Sequence, residues 1–180
     1  GTTGIAGEVG SANSLIGSTT NDQVGTNTIT TLSNGNFLVV TPTWNNGGSL
    51  GNAGAVTWIS GTTGKNYLGA FGAISDTNSI VGTTIGDAVG FGGVKALTGK
   101  NKFVVVSPNW SGNAGAVTWG NGANGSVVGA INAFNSLIGS AGSQVGSGGV
   151  TALTNGNYVV ASVNFDSNKG AVTLGNGETG

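Results

Sequence analysis

"TLSNGNFLVVTPTW", Thr31 to Trp44, decides how this chain is read. Asn34–Gly35 stands between short runs rich in Val, Leu, Thr and aromatics. Asn-Gly so flanked is the strongest short-range hairpin signal, because both central residues of a type I′ turn need positive φ. The words return as "ALTGKNKFVVVSPNW", Ala96 to Trp110, and as "ALTNGNYVVASVNF", Ala152 to Phe165. In the middle copy "GKN", Gly99 to Asn101, predicts a degraded or lengthened turn.

Outward from each hairpin the chain repeats itself in a set order. A strand-like word precedes it: "NSLIGS" at Asn13 to Ser18, "NSIVGT" at Asn78 to Thr83 and "NSLIGS" at Asn135 to Ser140. Then "DQVG" at Asp22 to Gly25 matches "DAVG" at Asp87 to Gly90 and "SQVG" at Ser143 to Gly146. After each hairpin comes "GAVTW" at Gly54 to Trp58, "GAVTW" at Gly115 to Trp119 or "GAVTL" at Gly170 to Leu174. Self-similarity at a period of about sixty residues divides the chain into units at 1–60, 61–121 and 122–180. The opening "GTTG" and the closing "GETG", Gly177 to Gly180, share a phase, as expected of a segment of a longer array or of a subunit whose end meets another copy's start.

Charged residues make up 6% of the chain, against roughly 25% in ordinary soluble domains. Net charge is −1, with five lysines and six carboxylates scattered along the sequence. No basic stripe exists, so nucleic acid is not an expected partner. Cys, Met, His and Arg do not occur, which removes disulfides, Cys/His metal sites, thiolate or imidazole catalysis and bidentate Arg clamps. No catalytic, cofactor-binding or metal-ligating set emerges, and the chain is read as not an enzyme and as needing no cofactor. No run of about 18 apolar residues predicts a membrane span. If the protein is exported, its signal lies upstream of Gly1.

Each unit offers about four short strands and no credible helix, since the one candidate run, Gly129 to Gly139, is β-branched and glycine-flanked. Four antiparallel strands per unit is the pattern of a propeller blade. At "DQVG", "ALTNGNYVV" and "GAVT" the chain resembles FG-GAP-like β-propeller blades, and it is similar to tandem repeats of large secreted bacterial haemagglutinin/adhesin-type exoproteins. The resemblance implies an all-β fold and a structural or adhesive role at the cell surface or outside the cell. It does not extend to the calcium loop of closely spaced Asp residues: the corresponding loops read "NNGGSLGN", "SGN" and "DSNK". Three blades do not close a ring, since propellers use typically four to eight. A six-bladed dimer, a longer native chain, a three-sheet β-prism and an open stack joined by strand edges all remain.

The candidate residues have bland readings beside sharp ones. Asp22 and Asp87, replaced by Ser143 in the third unit, read as turn residues capping backbone N–H groups rather than as a metal or acid/base pair. Trp44, Trp110 and Phe165 read as packing between sheets or as a glycan-stacking or interface platform. Trp58 and Trp119, matched by Leu174, read as core. The expected partners are copies of this chain, in a multimer or filament, with surface glycans bound by a lectin-like module as the alternative.

Overall fold

A computed structural model describes residues 5–180. Fourteen short strands are described: β1 (Leu15–Ile16), β2 (Ile29–Thr31), β3 (Phe37–Thr41), β4 (Ala55–Ile59), β5 (Gly72–Ala73), β6 (Ser79–Val81), β7 (Val94–Leu97), β8 (Lys102–Ser107), β9 (Ala116–Asn121), β10 (Gly129–Ala130), β11 (Ser136–Ile138), β12 (Val150–Ala152), β13 (Tyr158–Ser162) and β14 (Ala171–Gly175). The fold is all-β, as the sequence predicts. Two four-residue turns, Trp110–Asn113 and Phe165–Asn168, are helical in hydrogen bonding only, because Ser111, Gly112, Asp166 and Ser167 lie in the left-handed region.

The hairpin lies where "NGN" predicts it, but its turn is of another type. Gly35 N–H donates to the Leu32 carbonyl and Leu32 N–H to that of Asn36, and of the turn residues only Gly35 takes positive φ, at 85°. This is a three-residue loop, a type I turn closed by a glycine bulge. Leu153, Gly156 and Asn157 repeat it. In the middle copy Leu97 pairs with Lys102 across four loop residues, so that turn is lengthened by one.

The sheets straddle the boundaries of the sequence units. The first sheet runs β10-β6-β4-β3-β2, the second β11-β9-β8-β7, the third β12-β13-β14, and β1 pairs with β5 alone. A hairpin and its "GAVT" strand come from one unit, and the fourth strand, β6 or β11, is the "NSIV" or "NSLI" word of the next. Its register is the same in both sheets: Ala55, Val56 and Thr57 face Val81, Ile80 and Ser79, and Ala116, Val117 and Thr118 face Ile138, Leu137 and Ser136. The unit after that adds a two-residue parallel strand outside: Gly129 and Ala130 of β10 pair with Ile80 and Val81, as Gly72 and Ala73 of β5 pair with Leu15 and Ile16.

Consecutive sheets meet through their first strands, β2 with β7 and β7 with β12, and the row does not close into a propeller ring. Alternation along β8 explains the stacking. Phe103 and Val105 point back to Leu38, Val40 and Val56 of the first sheet, while Val104 and Val106 point forward to Tyr158 and Val160 of the third. A strand buried on both faces reads as an unbroken apolar run, which is what "FVVV" is.

Candidate functional site

Asp22 and Asp87 are buried, at 1% exposure each. Both oxygens of Asp22 are fully employed. Oδ2 accepts from Ser18 N–H (2.7 Å), Thr19 N–H (2.8 Å) and the Ser18 hydroxyl (3.2 Å); Oδ1 accepts from the Thr19 hydroxyl (2.8 Å) and Asn45 N–H (2.9 Å). Burial alone would raise its pKa; the Thr19 hydroxyl and the N–H groups of Thr19, Asn45 and Ser18 hold it below the ordinary value instead. Asp87 likewise accepts from the N–H groups of Thr83, Thr84 and Ser111 and from the Thr84 hydroxyl. In the third unit Ser143 bonds the Ser140 hydroxyl, and the link to the loop after the hairpin passes to Gln144, whose side-chain oxygen accepts from Asn164 Nδ2. Each group pins the turn after an "NSLI" word to the loop after the hairpin. Among the described residues no three His, Cys, Asp or Glu side chains gather in a way that could hold a metal.

The three aromatics expected as a glycan or interface platform have different surroundings. Trp44 is 2% exposed, packed with Ala55, Ile74 and Val81, and its indole N–H donates to the Ser18 hydroxyl at 2.9 Å. Trp110 is half-buried against the apolar layer between the first and second sheets. Phe165 is exposed. Stacking on a sugar needs an open ring face, which Trp44 lacks. Trp58 and Trp119 are half-buried at sheet margins, where each indole donates to the carbonyl of a turn glycine, Gly122 at 2.9 Å and Gly177 at 3.1 Å.

The uncovered surface lies at β14 and β11. Val172 is 76% exposed, whereas its counterparts Val56 and Val117 are 2% and 1% exposed. Leu174 is exposed as well, and so are Leu137 and Ile138 on β11, whose counterparts Ile80 and Val81 are buried. Between these strands a cleft of about 530 Å³ opens, lined by Val117, Leu137, Tyr158, Val160 and Thr173. Burial pushes the Tyr158 phenol up from its ordinary pKa. These residues are invisible to motif reading, because apolar letters at strand positions look alike whether covered or not. The one signal was comparison of position with position across the units.

A family model described as a repeat of unknown function, DUF5650, matches residues 1–26, 31–91, 97–147 and 152–180. The chain belongs to this family. The stretches at 31–91 and 97–147 each hold the turn and second strand of a hairpin, its "GAVT" strand and the "NSIV" or "NSLI" strand that pairs with it, while all but the last residue of β2 and of β7 falls outside them. No curated protein matches the chain. Among the described residues no helix is long and apolar enough to cross a membrane.

Proposed function

We propose that this DUF5650 chain is a structural or adhesive repeat module of a secreted bacterial surface or matrix protein, non-enzymatic and assembling with copies of itself. The resemblance of its words to haemagglutinin/adhesin-type exoproteins and to FG-GAP-like blades supports this reading. The observation that carries this reading is the sharing of strands: the first and second sheets are each completed by a strand of the next unit, so that units are joined by main-chain pairing as well as by packing. The buried carboxylates support it, since Asp22 and Asp87 are consumed in holding turns. A near-neutral surface places little charge repulsion in the way of association. Light scattering with negative-stain images tests the reading: multimers or regular filaments are expected, and a compact monomer at all concentrations would count against it.

A further inference from the structure

We propose that the third unit holds a binding site for a carboxylate ligand, in the place that Asp22 and Asp87 fill with their own side chains in the first two. This goes beyond the structural role above and does not depend on assembly.

In the first two units the place is built alike. Asp22 takes the N–H groups of Ser18 and Thr19 from the turn and of Asn45 from the loop, and Asp87 takes those of Thr83, Thr84 and Ser111. Every one of these donors belongs to the same unit as its carboxylate. Asp87 keeps the place while the third unit is bonded to the same loop, Gln144 N–H donating to the Asn113 carbonyl, so a carboxylate there is compatible with an adjoining unit.

The third unit keeps the frame without the carboxylate. Ser143 N–H closes its turn on the Ser140 carbonyl, as Asp22 N–H does on that of Thr19 and Asp87 N–H on that of Thr84. A Cβ added to Gly139 would lie 3.0 Å from Ser143 Cβ; on Gly17 and Gly82 it would lie 2.8 Å from Asp22 Cβ and Asp87 Cβ. The three side chains therefore start from one place, although the third turn is shorter by one residue. The Ser143 hydroxyl is engaged with that of Ser140, at 2.8 Å. Among the described residues, the N–H groups of Ser140, Ala141 and Asp166 meet no acceptor. Ser140 and Ala141 follow Gly139 as Ser18 and Thr19 follow Gly17, and Asp166 follows Phe165 as Asn45 follows Trp44.

These three residues line an open polar cavity of about 400 Å³ between the turn and the loop, together with Ser143, Asn164 and Ser167. A carboxylate suits such a set, because its oxygens accept several N–H bonds at once and charge assistance makes each about twice as strong as a neutral one. The cavity is larger than a carboxylate, and its hydroxyl and amide lining accepts the hydroxyls of a sugar acid as well as a simple acid. The one charged side chain in the lining, Asp166, is paired with Lys169 Nζ at 2.7 Å, which offsets its repulsion of an anion.

Sodium acetate, sodium glucuronate and sodium chloride, titrated in turn, test the site through the backbone amide resonances of Ser140, Ala141 and Asp166. Saturable shifts centred on these amides are expected with acetate and glucuronate. Tighter binding of glucuronate would identify the ligand as a sugar acid, and equal affinities would identify it as a simple carboxylate. Ser143→Asp supplies the carboxylate from the chain and should abolish the response. Asp166→Asn removes the opposing charge and should tighten acetate binding several-fold; an unchanged affinity would place the anion elsewhere and overturn the site, whether or not Ser143→Asp folds. An equal response to chloride would overturn the choice of ligand, and the absence of saturable shifts with either acid would overturn the site itself.

Discussion

At the residue scale, Asp22 shows how a chain with six carboxylates spends one on structure. Its acceptor capacity answers three backbone N–H groups and two hydroxyls, and Ser143 does part of that work in the third unit with Gln144 supplying the reach. Asp22→Ala leaves the N–H groups of Ser18, Thr19 and Asn45 without their acceptor and should cost about 1–3 kcal/mol in urea unfolding. Asp22→Ser should cost less. The pH dependence has a definite sign. A carboxyl held below its ordinary value of 3.8 contributes stability that is complete above the unfolded-state pKa and is lost as pH falls through the folded one. Melting curves between neutral and acid pH should therefore decline more steeply for the native chain than for Asp22→Ser, with the gap closing in strong acid.

At the scale of the element, the strands are held by what crosses between them. Phe103 is 1% exposed, and Gly120 lies so close under its ring that a Cβ there would sit 2.1 Å from it. Phe103→Ala opens the layer between the first and second sheets and should cost about 3–5 kcal/mol by denaturant titration. The half-buried Phe37 should cost less on the same change. Gly54 and Gly170 share a left-handed conformation, with φ of 78° and 77°. Alanine at either place bears about 1–2 kcal/mol of conformational cost, but Gly54→Ala also drives a Cβ into the Val89 backbone. Gly54→Ala should lower the melting temperature well beyond Gly170→Ala, and equal losses would show that the parallel bridge at Gly54 contributes little.

For the whole molecule, the row of sheets sets a gradient of protection. The middle sheet is covered on both faces, with Val104 and Val105 fully buried, while β14 has an open edge and an exposed face. Amide hydrogen exchange should be slowest at Val104 to Val106 and fastest, among the hairpin-linked strands, at Val172 to Leu174. Uniform protection along the row would mean that the units unfold only together.

The repeat, the hairpin positions and the all-β class were legible in the sequence because they are local: Asn-Gly between β-branched runs permits few other conformations, and three copies of one pattern remove chance, whereas the two-residue parallel strands β5 and β10, a fifth strand in their units, carry no local signal. The buried caps at Asp22 and Asp87 were legible too, since Ser143 at the same phase suits a turn and not a catalytic pair. The type of the hairpin turn was not, because it depends on whether Leu32 pairs with Asn36, a matter of strand register. Nor was the membership of each sheet. A sequence cut at 61 and 122 keeps "NSIV" with its own unit, yet the free edge of β4 takes it from the next, and only packing in three dimensions settles which edge a three-residue strand will join. The same holds for Leu137 and Val172. Their letters are those of core residues, and exposure, a property of the folded chain, sets them apart from their buried counterparts.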